Sequence, residues 1–360
     1  MTSKNCVAED TRGATNHSRI HVIFQLVVLA LLVLLLLNYK GMVGINKVRQ
    51  TRATGILKVS SLPSIGVGGT QGRTSSLRDS VQYIRIVWPA LVFGVLISAA
   101  VRTSLSRTPL HTIFGRGTFR DQITGTLAGA PLMLCSCCVA PIFPAMYQRT
   151  RRIAPSLALA LASPSLNPAA LTLSFILFPF RIAGARLLMA CVLVLFGSLF
   201  VAKITNPLTV PVSEPEEERR RETWGELLSS YVHSLMYISI RTVPLILVGI
   251  FVSMLVMARV PLAVTSSKMG VHVLTVAVIA LISLLLTLPS LFEIPLALSV
   301  IAAGGPVGGA AAVLFAGPAI NLPSLLVIGR YSSWKVALSL AGMVWVIAVI
   351  GGILVGNFTF

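Results

Sequence analysis

Cys135, Cys137 and Cys138 crowd into the stretch Leu-Cys-Ser-Cys-Cys-Val-Ala-Pro, residues 134–141. Thiolates are soft ligands and suit soft metals and trivalent metalloids. Cysteines two apart share a side in an extended segment, and cysteines three apart meet in a helical one. Pro141 draws Ala140 out of helical geometry, so extended backbone nearby is expected. Two other readings stand beside substrate contact: a redox pair, and plain packing by a small hydrophobe. Further along, Asn167 lies in Ser-Pro-Ser-Leu-Asn-Pro, which contains Pro164, and Asn321 lies in Gly-Pro-Ala-Ile-Asn-Leu-Pro, which contains Pro318. Each asparagine can cap the helix that follows and can offer donors and an acceptor to a substrate. Glu293 is the carboxylate that hydropathy puts inside a span; the other acids are assigned to the tail, loops and central linker. An ionisable residue at that depth is a functional candidate. It could carry the proton that couples transport. Its structural alternative is a helix-end glutamate at the interface, paired with an arginine.

The elements that must hold these residues are apolar helices. Of 360 residues, 55% are hydrophobic and 11% are charged, against about 25% charged in soluble domains. Several runs approach or reach the length that spans a bilayer. The expected fold is all-α: a polytopic transmembrane bundle of about 8–9 spans, built from two repeats with broken helices. The repeat shows in the pairs Pro141/Pro295, Pro164/Pro318 and Asn167/Asn321, each 154 residues apart, and in Pro89/Pro244 and Gly94/Gly249, each 155 apart. Matched interruptions in two halves point to a substrate site between them. Proline and asparagine at 163–168 are expected to break one helix, and their counterparts at 317–323 another. Gly125 with Gly129, and Gly352 with Gly356, have the spacing of close helix contacts.

In chain order, residues 1–80 read as a polar tail, a first span over 22–37 and a basic linker. Residues 81–203 form the first repeat, 204–226 a charged linker with six glutamates, and 227–360 the second repeat. The net charge of +18 sits in loops between apolar runs. It orients spans and is not a nucleic-acid surface. Lipids and a small solute are the expected partners, in a multi-pass protein of the inner (plasma) membrane. The turn at 149–152 is basic and its counterpart at 303–306 is neutral, which favours inverted halves. The basic loop at 102–120 runs against that pattern. With no nucleotide, zinc-protease or hydrolase motif, an enzyme is not expected, and neither a cofactor nor a resident metal is assigned. The five cysteines, Cys6 and Cys191 among them, do not form a secreted disulfide framework.

At Cys-Ser-Cys-Cys-Val-Ala-Pro, Ala-Ser-Pro-Ser-Leu-Asn-Pro and Ala-Gly-Pro-Ala-Ile-Asn-Leu-Pro the chain resembles the predicted-permease family that includes the organoarsenical efflux permease. The resemblance covers roughly residues 80–355. It implies a multispanning transporter, in a family some of whose members export trivalent organoarsenicals. Thiol chemistry and the paired breaks, read above, place Cys135, Cys137, Cys138, Pro164, Asn167, Pro318 and Asn321 about the substrate. Cys138 stands where a glycine commonly follows Cys-Ser-Cys in that family. The alternative function, from another class, is a membrane thiol oxidoreductase using Cys135 and Cys137.

Overall fold

The computed structural model describes residues 27–39, 41–46, 48–53, 74–104, 118–150, 152–205, 224–257, 272–287, 291–302 and 304–357. The tail with Cys6, most of the basic linker and the glutamate-rich segment lie outside the described residues. Among the described residues there is no strand. Four helices are long and apolar enough to cross a membrane: α1 (Val27–Ala53), the continuous run Phe180–Ile204, the core of α10 (Leu228–Val252) and α15 (Trp334–Asn357). Three further apolar pairs are bent at a short break, so up to seven spans are possible.

The remaining helices follow in order. α2 is Thr74–Ser104, α3 Thr118–Gly129, α4 Ser136–Val139 and α5 Ile142–Thr150. α6 is Ile153–Ser165, α7 Pro168–Leu177, α8 Phe180–Val192 and α9 Ser198–Thr205. After α10 (Trp224–Met257) come α11 (His272–Leu285), α12 (Glu293–Ala302), α13 (Val307–Ala319) and α14 (Leu322–Tyr331). α6 and α13 each have 13 residues, α7 and α14 each have 10, and the bends between them are 42° and 43°. The first hairpin differs in kind: Phe119–Leu132 and Ser136–Gln148 turn through 120°.

Small residues let these helices approach to backbone contact. α3 packs along α6. A Cβ on Gly125 would lie 2.6 Å from the Pro155 carbonyl oxygen, and one on Gly129 would lie 2.3 Å from that of Leu159. Gly308 and Gly352 make the same kind of contact between α13 and α15, each backbone oxygen within 2.7 Å of the other's Cβ direction. Gly308→Ala should therefore part α13 from α15 and cost about 1–3 kcal/mol. An unfolding midpoint in detergent equal to that of the parent protein would contradict this.

One irregularity has a visible cause. Between α8 and α9, Leu193–Gly197 forms a wide turn of π type. Such a bulge frees a carbonyl from the helical ladder. The buried Gln122 amide donates to the Val194 oxygen at 2.8 Å and also to Ser198 Oγ. A helix-interior glutamine on α3 thus fixes the distorted turn of another span.

Candidate functional site

The cysteine turn begins where the 3₁₀ turn Ala130–Leu132 ends. Met133 takes a left-handed conformation, φ 51°, and reverses the chain. Cys135 is extended, φ −72° and ψ 161°, and precedes α4. Its carbonyl accepts from the backbone N–H of Cys138 and of Val139, both at 3.0 Å. This combination brings all three sulfurs together. Sγ of Cys135 lies 3.1 Å from that of Cys137 and 2.8 Å from that of Cys138, and the Cys137–Cys138 separation is 3.8 Å. All three are buried and none is in a disulfide. The expectation that a cysteine pair two apart needs a strand is corrected. One extended residue at the mouth of a helical turn suffices, because it swings Cys135 back over Cys137 and Cys138.

The turn is held from three sides. On α6, Ser163 Oγ accepts from the Leu134 N–H at 3.1 Å. From α2, Ser98 Oγ donates to the Pro141 carbonyl at 2.6 Å. Gly94 passes so close that a Cβ there would sit 2.2 Å from the Cys138 oxygen. α4 also packs against α14, the helix after the second break. The cysteine turn therefore touches both discontinuous elements, α6 and α14.

Both breaks fall inside the expected windows, 163–168 and 317–323, but not at the prolines themselves. Pro164 lies inside α6 and Pro318 inside α13; the chain breaks only after Ser165 and Ala319. Each proline removes one N–H and one ladder bond in the last turn. That weakens the helix end without stopping it, and termination falls to Leu166–Asn167 and Ile320–Asn321. Pro144 likewise does not break α5, since it lies in the first turn, where N–H groups have no helical partner. Asn167 Oδ1 accepts from the N–H of Ala169 and Ala170, at 3.0 and 3.4 Å. Asn321 and Ser324 form a reciprocal cap on α14. Two polar atoms remain buried without a protein partner at these breaks: Ser165 Oγ and Asn321 Nδ2. Such groups are costly unless something else satisfies them.

Glu293 occupies the position in the second half that Val139, one residue after the cysteines, occupies in the first. It opens α12 and is 2% exposed. Its Oε1 accepts from Arg186 Nη2 at 2.9 Å, and Arg186 Nη1 donates to Ser174 Oγ at 2.6 Å. The pairing with arginine was one of the two expected readings. Its place is the buried core and not an exposed helix end. Arg186 is itself 1% exposed, and no reading of the sequence singled it out. A signal was present: Arg186 is flanked by apolar residues on both sides within a span. The trio ties α7 and α8 of the first half to α12 of the second.

Asp121 departs from the loop position expected of it. Asp121 belongs to the first turn of α3 and is 1% exposed; it is not a loop residue. Its Oδ2 accepts from Arg152 Nη1 at 2.6 Å. The start of the hairpin and the chain just after its return therefore lie at the same end of the molecule.

The family model described as a predicted permease matches residues 74–357. The chain is 30% identical over 289 residues to UPF0718 protein YraQ of Escherichia coli K12, covering 79% of this chain and 80% of that protein. It is 20% identical over 331 residues to UPF0718 protein MJ0584 of Methanocaldococcus jannaschii, covering 74% of this chain and 91% of that one. No solved structure matches it. Apolar helices, matched broken spans and buried polar breaks agree with the family match, and the chain belongs to the predicted-permease family.

Proposed function

We propose that this permease is a secondary transporter that exports a small solute, a trivalent organoarsenical or another soft metalloid species, by alternating access. The observation that supports the reading is the buried group of three thiols packed against both discontinuous helical elements. Broken helices persist in a lipid-facing protein where they are buried or line a cavity. Cys135, Cys137 and Cys138 contact the solute, and Asn167 and Asn321, with the backbone loosened by Pro164 and Pro318, line its path. Glu293 takes the proton that drives export, and Arg186 holds the carboxylate when it is ionised.

The halves, residues 81–203 and 227–360, are inverted relative to each other in a multi-pass protein of the inner membrane. The 120° turn and the Asp121–Arg152 pair support a first hairpin that enters and leaves on one side. Each half then makes three crossings, an odd number, and the second half is turned over. The basic loop 102–120 and the basic turn 149–152 come to the same side, which positive-inside bias makes cytoplasmic.

Uptake into everted vesicles tests the mechanism. Methylarsenite should accumulate faster with an imposed pH gradient, and Glu293→Gln should abolish the gradient-dependent part. Cys135→Ser with Cys137→Ser should reduce accumulation to the background of empty vesicles. Undiminished uptake in the double cysteine variant would remove the thiols from the pathway, and a Glu293→Gln flux equal to that of the parent protein at every pH would remove proton coupling through Glu293. A thiol oxidoreductase would instead show a titratable Cys135–Cys137 disulfide and no accumulation.

A further inference from the structure

The number of thiols, and not only their softness, selects a ligand. Two sulfurs on one central atom, each bonded at about 2.3 Å, can be no more than about 4.6 Å apart. All three separations here, 2.8, 3.1 and 3.8 Å, meet that limit before any ligand arrives. Cys135 and Cys138 are fixed to one another through the backbone bond at the start of α4, so the third thiol is built into the turn. Burial sets the second condition. Cys137 and Cys138 are 0% exposed and Cys135 is 6% exposed. A net charge is costly at such a place. Three thiolates around a divalent ion leave one negative charge, whereas around a trivalent centre they leave none.

We propose that Cys135, Cys137 and Cys138 form a three-thiol site for a neutral trivalent pnictogen hydroxide, the class of arsenite and antimonite. This rests on the soft-solute reading above and sharpens it. Arsenite enters as the uncharged trihydroxide. Each of three As–O bonds is replaced by an As–S bond, and each thiol proton leaves with a hydroxide as water. Three waters are released, no oxidation state changes and the product is neutral. A mono-organic arsenical has only two exchangeable positions and engages two of the thiols. The third thiol therefore favours the inorganic form, and Cys138 carries that preference.

The test uses the full-length reduced protein in detergent. Arsenite, antimonite, phenylarsine oxide and cadmium are titrated separately, with bound element measured after equilibrium dialysis. X-ray absorption then counts sulfur neighbours on bound arsenic. The expected result is three sulfurs on arsenite and two on phenylarsine oxide. Cys138→Ser should weaken arsenite by at least about tenfold more than it weakens phenylarsine oxide, which the two remaining thiols can still hold. Cys138→Ala, which keeps the site apolar, should behave the same way, and gel filtration checks that both variants remain monodisperse. Binding of phenylarsine oxide without arsenite would overturn the three-thiol site and leave the soft-solute reading standing. So would arsenite affinity unchanged in both Cys138 variants, or cadmium bound more tightly than arsenite. If neither arsenical binds the parent protein, the soft-solute reading itself falls.

Discussion

Replacing Arg186 by methionine should destabilise the protein by about 3–5 kcal/mol, because it strands a buried carboxylate. Arg186 and Glu293 are 1% and 2% exposed and make a 2.9 Å ion pair. Both are buried in this structure, so removing one leaves the other charge unpaired. Glu293→Gln is the milder change, since the guanidinium keeps its bond to Ser174 Oγ and gains an amide oxygen to donate to. Combining Arg186→Met with Glu293→Gln should recover much of the loss, as no unpaired charge remains. Unfolding midpoints of the parent, both single variants and the double variant provide the measurement. A double variant no better than Arg186→Met alone would show that the arginine acts through packing and not through charge.

That pair also marks how far the sequence could be read. Glu293 stood out because a carboxylate in an apolar run has few explanations. Arg186 is just as isolated in its span, but arginine is so common at span ends that its burial is legible only when its partner, 107 positions along the chain, is brought alongside. The helical class, the apolar spans and the two matched breaks were readable because hydropathy and proline act over short windows. The Gly125–Gly129 contact was readable for the same reason. The breaks also fall inside the expected windows 163–168 and 317–323; what could not be read was the residue at which each helix stops. Proline announces a weak helix end, yet the chain stops where asparagine can cap the next helix, two to three residues later. Asp121 adjoins the basic segment ending at Arg120, and its burial shows only in the tertiary contact with Arg152. The three sulfurs could not be brought together from spacing alone, since the turn mixes one extended residue with one helical turn.

The matched glycines yield the second large expected effect and show how the halves seat their functional elements. Gly94 on α2 and Gly249 on α10 are 155 residues apart. Yet they press on different things. A Cβ on Gly94 would lie 2.2 Å from the Cys138 carbonyl oxygen; one on Gly249 would lie 2.7 Å from Cα of Pro323, at the start of α14. Both obstacles include backbone, so neither can rotate away. Each long helix therefore acts as a wall, α2 against the cysteine turn and α10 against the start of α14. Gly94→Ala must push the cysteine turn off α2, at a cost of about 1–3 kcal/mol. It should also spread the sulfurs and weaken arsenical binding. Gly249→Ala should cost a similar amount but leave the thiols in register, so that binding survives while transport falls. Gly342→Ala is the control: nothing lies within 4 Å of its Cβ direction, and alanine is the better helix former. Binding in the Gly94→Ala protein as tight as in the Gly342→Ala control would mean that α2 does not set the thiol geometry. The separation of binding from transport by these two glycines then distinguishes a turn that captures the solute from a break that lets it pass.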